Sequence, residues 1–461
     1  MAGVVGVYGK DAAFKAFYIL YGTHTRGQEN CGMAAAGNHS TRKYSGKGLL
    51  LSVFNDDIMG AFLNPTDYVA IGHVGDKKVE GDNIAPVKAE SDNYEIAVAM
   101  DGAISSGLGS DRKVSFESNE AFYSAIFLDN LEKSDDISVA VSKTAKELGK
   151  GYYSVVMAVR DKEKERSMLA GYRNLRGIKP LYMKRTENEL YISSESGGIK
   201  RTVTGSLLEE RDVIPGELLV RSKSGIADEQ LFEPKRAHCI FEWVYTSKPE
   251  TEIEGINAHI VRKRLGHLLA ELHKLKDDGN SVVIGIPDSG RSVALGVHEA
   301  SGIPFDEGVT KNQFGGRTYG MPDAHKRKFF ADLKHNIIRE VVRGRKVYLG
   351  DDSIVRGTIS ESVGADLLDA GAKEVNLAIS YAPIFEPCFS DEPNKRLAAK
   401  PYRDLDIFEV GKRVAENLPN INNVLYNTVE NVVKAVNLPE EWFCTYCITG
   451  KNPFEEADKK E

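Results

Sequence analysis

The chain has 461 residues, 41% of them hydrophobic and 28% charged, which is too long for one ordinary core and leads us to expect two domains. Its 60 basic and 67 acidic residues give a formal charge of −7. There is no basic block or basic-aromatic interleaving, which argues against nucleic acid as a partner. No apolar run approaches the ~18 to 20 residues of a membrane span, and the start lacks an export-signal pattern, so a cytoplasmic protein without a membrane partner is expected.

In chain order, AGVVGVYG, LLLSVFN, YVAIGHV, YEIAVAMDG, YYSVVMAVR and ELYISSES read as strands, and residues 119–130 and 137–148 as helices. This is a mixed α+β pattern with antiparallel hairpins, closed by VIPGELLVRSKSG with a turn at Pro215-Gly216. The second half alternates differently: an amphipathic helix over 256–276, SVVIGIPDSG, a helix over 292–301, VYLGDD, a helix over 358–370 and VNLAISY. That order predicts a parallel sheet with right-handed crossovers. The expected domains are 1–228 and 229–461, with EEADKKE as a frayed end.

Ligands of parallel sheets bind beyond the carboxyl ends of the strands, where IPDSGR and GDDSIVRGT fall. Asp351 and Asp352 are placed to accept hydrogen bonds from neighbouring ribose hydroxyls. The loop 353–360 brings Gly357, Thr358, Ser360 and the amides of a helix start, together a cradle for a 5-phosphate. A turn that merely caps the helix is the plainer reading, and the length of the pattern argues against it. Of the five cysteines, Cys444 and Cys447 form FCTYC, a pair suited to one metal or cluster, with Cys239 and Cys388 elsewhere. Spacing alone leaves zinc and iron-sulfur open.

DDSIVRGT resembles the signature loop of type I phosphoribosyltransferases in the form found in glutamine phosphoribosylpyrophosphate amidotransferases. IPDSGRSVALG is similar to that family's pyrophosphate loop, KNQFGGRTYGMP (311–322) to its lid, and RGQENCGMA (26–34) to its amino-terminal domain. The resemblance implies an Ntn-hydrolase-like αββα sandwich followed by a type I phosphoribosyltransferase domain. It implies Asp351 and Asp352 on the ribose and a magnesium ion, and Ser353, Val355, Arg356, Gly357, Thr358 and Ser360 around the 5-phosphate. Asp288, Ser289, Gly290 and Arg291 would hold the pyrophosphate, and Lys311 and Arg317 would be the catalytic cations of the lid. Gln313 and Asp332 depart from the family's usual residues, while Lys334 fits. The iron-sulfur branch of the family implies a structural 4Fe-4S cluster on Cys239, Cys388, Cys444 and Cys447, with zinc as the alternative.

The family's glutaminase begins Cys-Gly-Ile-Val-Gly, where the cysteine thiol attacks glutamine. This chain has Ala2-Gly3-Val4-Val5-Gly6. Gly-His-Val-Arg-Tyr becomes Gly72-His73-Val74-Gly75-Asp76, removing the arginine that grips the glutamine carboxylate. His-Asn-Gly-Asn becomes Met100-Asp101-Gly102-Ala103, which sets a carboxylate where an oxyanion should be stabilised, and Ser-Asp-Ser-Glu becomes Glu117-Ser118-Asn119-Glu120. Cys31 reads as a small buried thiol rather than a displaced nucleophile.

The expectation is a homo-oligomeric, magnesium-dependent phosphoribosyltransferase of purine biosynthesis. It would combine phosphoribosylpyrophosphate with ammonia from solution or a partner glutaminase and would lack glutaminase activity itself. Two alternatives are transfer to a different nitrogen acceptor and a non-catalytic paralogue that binds phosphoribosylpyrophosphate and regulates an active homologue.

Overall fold

The computed structural model describes residues 1–37, 39–63, 67–76, 79, 81–104, 118–202, 206–311, 335–389 and 396–455. The chain folds as two compact units, Met1–Cys239 with Thr251–Gly255, and Ile240–Glu250 with Ile256–Glu461.

The first unit runs β1 (Ala2–Tyr8), α1 (Ala12–Gly22), β2 (Asn30–Ala36), β3 (Thr41–Lys47), α2 (Leu50–Val53), α3 (Asp56–Phe62), β4 (Val69–Gly75), β5 (Val87–Glu90) and β6 (Tyr94–Ile104). It continues with α4 (Asn119–Ser134), α5 (Ile137–Leu148), β7 (Gly151–Asp161), β8 (Arg166–Arg173), β9 (Tyr182–Thr186), β10 (Leu190–Ser193), α6 (Ser196–Thr202), β11 (Leu207–Asp212), β12 (Glu217–Ser222) and β13 (Gly225–Gln230). One sheet is ordered β11-β9-β10-β1-β4-β2-β3 and the other β13-β12-β8-β7-β6-β5, and their pairs are antiparallel.

Val4, Ala34, Val69 and Ile71 of the first sheet pack with Ala97, Ala99, Val156 and Leu169 of the second, forming the interior of a sandwich. The outer faces are covered by α1 on the first sheet and by α4 and α5 on the second. Both faces of β1, β4 and β7 are therefore buried, which is why these strands read as nearly continuous apolar runs and not as alternations.

LLLSVFN, expected to be a strand, instead contains the helical turn α2. Leu50 and Phe54 are buried while Leu49 and Leu51 are exposed. The buried pair is spaced four apart, a helical and not a strand period. Phe54 fixes that choice by meeting Phe17, Tyr44 and Phe62 edge to face.

The second unit begins with α7 (Ala258–Leu272), whose first turn is capped by the Asn257 side chain accepting from the Ile260 amide at 3.2 Å. There follow β14 (Ser281–Gly285), α8 (Gly290–Ser301), β15 (Val309–Lys311), β16 (His335–Ile337), β17 (Lys346–Asp351), α9 (Thr358–Asp369), β18 (Glu374–Ile379), α10 (Ile407–Glu416), β19 (Asn423–Tyr426) and α11 (Val429–Val436). Strands β14, β17, β18 and β19 form a parallel sheet in that order. Val282, Ile284, Val347, Leu349, Val375 and Leu377 pack on one face and Val283, Tyr348 and Ala378 on the other. Among the described residues no helix is long and apolar enough to cross a membrane.

Candidate functional site

Two loops leave the parallel sheet at adjacent strand ends. Gly285 pairs with Gly350, so the loop after β14 and the loop after β17 start side by side. The Ile286 amide donates to Gly350 O at 2.9 Å. A Cβ on Gly290 would stand 2.0 Å from Gly350 O, so only glycine lets α8 begin this close to β17. Ser289 Oγ then donates to Asp352 Oδ1 at 2.7 Å, and Ser353 Oγ to Asp352 Oδ2 at 2.6 Å.

Asp351 Oδ1 accepts from the Asp352 amide at 2.9 Å, and both carboxylates are 7% exposed at the sheet's rim. Their backbone is held from the far side, where Ser380 and Tyr381 amides donate to the Asp351 and Asp352 carbonyls at 3.0 Å. The acids are thus fixed in place at the sheet's rim.

Helix α9 starts at Thr358 behind Gly357, which has φ 87° and no side chain to cap the helix. The first-turn amides of such a helix lack intrahelical acceptors and form an anion site at its positive end. Thr358 and Arg356 are exposed, Ser353 and Val355 half-buried and Ser360 buried. The Val355 carbonyl accepts from the Ala398 amide at 2.9 Å, anchoring the loop. Arg291 is on the outer side of α8, 3.3 Å from Glu307.

Lys311 ends β15 opposite His335 of β16, and its Nζ reaches Asp288 Oδ2 at 2.9 Å. This ion pair attaches the first residue of the expected lid to the loop after β14. Arg317, Gln313, Asp332 and Lys334 lie outside the described residues.

In the first unit, Ala2 and Gly75 are direct cross-strand partners on β1 and β4. A Cβ on Gly75 would meet His73 Cε1 at 2.8 Å and Asn30 Oδ1 at 3.0 Å, so a longer side chain there requires both neighbours to shift. Asp101, on the inner face of β6, is the anion of a buried ion cluster. Arg26 Nη2 donates to its Oδ2 at 2.8 Å and Lys179 Nζ stands 3.6 Å from its Oδ1. Arg26 also donates through Nε to Ala2 O at 2.9 Å and through Nη1 toward Glu195 Oε1 at 3.4 Å.

Glu195 is held in turn by Thr251 Oγ1 at 3.0 Å. Burial alone pushes the Asp101 carboxyl up, but Lys179 and Arg26 outweigh it and hold the group below the usual carboxylate range. Asp101 thus sits among the charges of Lys179, Arg26 and the Met1 amine.

Gly102 has φ +125°, and a Cβ there would sit 1.9 Å from Tyr152 O. Ser118 caps α4, its Oγ accepting from the Ala121 amide at 3.1 Å; Glu117 lies outside the described residues. Cys31 sits within β2 at 0% exposure, and burial pushes its thiol up to about 12, so it stays protonated. Sequence reasoning missed Lys179 and Glu195 and took Arg26 only as part of a motif. The available signal was Asp101 itself, because a carboxylate inside an apolar strand requires a cation.

In the second unit, Cys447 Sγ is 3.3 Å from the Tyr381 hydroxyl. Burial pushes the Cys447 thiol up to about 12, opposed by Tyr381 and reinforced by the nearby sulfurs of Cys388 and Cys444. The Phe385 and Glu386 amides donate to the Cys447 carbonyl at 2.9 and 3.0 Å, and Phe389 stacks on Tyr446 at 4.3 Å, so the tail is fastened to the segment carrying Cys388. Cys239 belongs to the first unit, its amide bonded to Ile178 O at 3.2 Å. Among the described residues, no three or more His, Cys, Asp or Glu side chains form a group arranged to hold a metal.

The strand order defines a mixed α/β protein in which two loops meet at the rim of a parallel sheet, and comparison with known proteins makes that more specific. The amidophosphoribosyltransferase of Methanocaldococcus jannaschii is 32% identical over 488 aligned positions, covering 99% of this chain and 98% of its own. That of Archaeoglobus fulgidus is 32% identical over 98% of both.

A solved structure of the allosteric regulatory enzyme of purine biosynthesis superposes with a TM-score of 0.83 at 27% identity, covering 98% of this chain and 96% of the other. The glutamine phosphoribosylpyrophosphate amidotransferase from B. subtilis, complexed with ADP and GMP, gives a TM-score of 0.80 at 27% identity, with 98% and 97% covered. No protein-family model matches the chain. The chain belongs to the amidophosphoribosyltransferase family.

Proposed function

We propose that this protein is a phosphoribosyltransferase of purine biosynthesis that joins ammonia to phosphoribosylpyrophosphate, and that it has no glutaminase of its own. In this reading the second unit is a type I phosphoribosyltransferase domain and the first a degenerate Ntn-hydrolase-like domain. The observation that carries the transferase reading is the 2.7 Å bond from Ser289 to Asp352. It makes one mouth of the pyrophosphate loop and the ribose loop.

The ribose hydroxyls would be received by Asp351 and Asp352. The 5-phosphate would be received by the open start of α9 together with Ser353, Val355, Arg356, Gly357, Thr358 and Ser360. The pyrophosphate would lie on Asp288, Ser289, Gly290 and Arg291 with Lys311 and Arg317 closing over it. Magnesium suits this place, since Asp351 and Asp352 offer hard carboxylate oxygen donors; when bound it would neutralise pyrophosphate charge.

The ammonia nitrogen forms a bond to C1 as the bond from C1 to the pyrophosphate oxygen breaks. Pyrophosphate leaves with the electron pair, and the new ammonium loses a proton to solvent. The chain contributes orientation and fixed positive charge at the departing group. Loss of the glutaminase is supported by Ala2 at the nucleophile's position and by Asp101, pinned by Arg26 and Lys179 where an oxyanion would develop.

The resemblance assigns a 4Fe-4S cluster, or zinc in its place, to Cys239, Cys388, Cys444 and Cys447, but among the described residues these cysteines form no metal-holding group. Iron, sulfide and zinc assays on anaerobically purified protein decide whether either is bound. The transferase reading is tested by titrating phosphoribosylpyrophosphate with magnesium into the wild type and the Asp351→Asn/Asp352→Asn variant. Binding lost in the variant supports it; equal binding rules it out.

A further inference from the structure

The first unit contains a cavity of about 640 Å³ that the transfer chemistry does not use, lined by the end of β1, Tyr68, the hairpin between β9 and β10, and the end of β12. Three cations border it: Lys10, Arg221 and Lys223. Most basic side chains of the unit's interior have carboxylate partners, as Arg26, Arg160, Arg173 and Arg211 do. These three pair with no carboxylate among the described residues.

Of the two acids on the rim, Glu189 is committed to Lys15 and Tyr191, which leaves Glu187 facing three cations. The hairpin approaches β1 so closely that a Cβ on Gly9 would stand 2.7 Å from Glu189 Cγ, which makes this wall of the cavity a packed one.

Arg221 packs on the cavity wall. Its guanidinium lies over the Tyr8 ring at 5.3 Å and its Nη2 reaches Glu187 O at 3.4 Å. Its Nε is buried with no hydrogen-bond acceptor among the described residues. A buried guanidinium N–H without an acceptor is unfavourable, and a preorganised guanidinium with two flanking ammonium groups matches the oxygens of a phosphate group. The volume is that of a small-molecule site, well beyond a lone phosphate. The Tyr68 ring, 50% exposed, supplies an aromatic wall for the organic part.

We propose that this cavity binds a phosphorylated organic anion, its phosphate on Arg221, Lys10 and Lys223 and its organic portion against Tyr68. The two sources of that chemistry, a nucleotide and a sugar phosphate, are represented by ADP and ribose 5-phosphate. Both are titrated calorimetrically into the full chain carrying Asp351→Asn/Asp352→Asn, which weakens the other phosphate-binding mouth, with inorganic pyrophosphate as the third titrant.

The expected result is one saturable event with ADP or ribose 5-phosphate, tighter than with pyrophosphate. The exposed pair Lys10→Glu/Lys223→Glu should weaken it at least tenfold, and so should Arg221→Gln. Because Arg221→Gln also removes packing on Tyr8, the Lys10/Lys223 variant decides where the Arg221 variant misfolds. No event with either organic ligand, an event insensitive to Lys10→Glu/Lys223→Glu, or pyrophosphate binding as tightly as the organic ligands would each overturn the proposal.

Discussion

Arg26 Nη2 donates to Asp101 Oδ2 at 2.8 Å with both side chains fully removed from solvent. Because the pair sits with Lys179 and Glu195 in one buried network, removal of Asp101 takes away the anion that two cations share. Asp101→Ala removes the carboxylate that Arg26 and Lys179 share. The expected loss is about 3–5 kcal/mol of stability, read by chemical denaturation, with ammonia-dependent turnover per folded molecule retained. A loss under about 1 kcal/mol, the scale of an exposed pair, contradicts the network.

The same geometry predicts that Ala2→Cys does not create a glutaminase, even after Met1 removal is verified by mass spectrometry. A thiol at position 2 would find Asp101 in place of an oxyanion donor and Gly75 in place of an arginine. Glutamate release should stay at the wild-type background. Release well above background would show that the thiol was the only missing part.

At the phosphoribosyl mouth, Gly290→Ala places a methyl group 2.0 Å from Gly350 O, so the loop after β14 must move away from β17. Misplacement of about 1 Å lowers catalysis on the order of 100-fold. The variant should lose that much in kcat/KM for phosphoribosylpyrophosphate while its circular dichroism stays native. Unchanged kinetics would place the pyrophosphate elsewhere.

Lys311→Ala removes a cation that Asp288 holds at 2.9 Å beside the same loop. If that charge supports the departing pyrophosphate, kcat falls roughly 100-fold or more while KM changes less. A change confined to KM would make Lys311 a binding residue only.

A fifth prediction concerns pH. Burial and the charge of Glu254 raise the Asp212 carboxyl to about 7 against the pull of Arg173. The folded state therefore keeps a proton that the unfolded chain releases from about pH 4 upward, and this contribution to stability declines as pH rises toward about 7. His238, lowered to about 4 by burial and Arg173, works in the opposite sense, losing stability as pH falls from about 6.5. The wild type should gain stability relative to Asp212→Asn as pH is lowered from about 7.5 to about 5, measured by thermal unfolding. A pH-independent difference contradicts the raised carboxyl.

The alternating second half was readable from sequence because β14 and β17 carry apolar runs that end at glycine, and helices 290–301 and 358–369 begin within two residues of expectation. Residues 50–53 were misread because a leucine run has no period of its own; Phe54 and its aromatic neighbours decide its form. The loops bearing Asp352 and Ser289 were legible as motifs, but the bond between them joins positions 63 residues apart. Asp101 was recognisable as hostile to an oxyanion, whereas its neutralisation by Arg26 and Lys179 depends on sheet packing that no local pattern encodes.

The most direct test of the account is pyrophosphate release from phosphoribosylpyrophosphate and magnesium by anaerobically purified protein, given glutamine, ammonia or no nitrogen source in parallel. The account predicts release with ammonia and only background release with glutamine. Glutamine-driven release equal to that with ammonia, or no release with any nitrogen source, would contradict it.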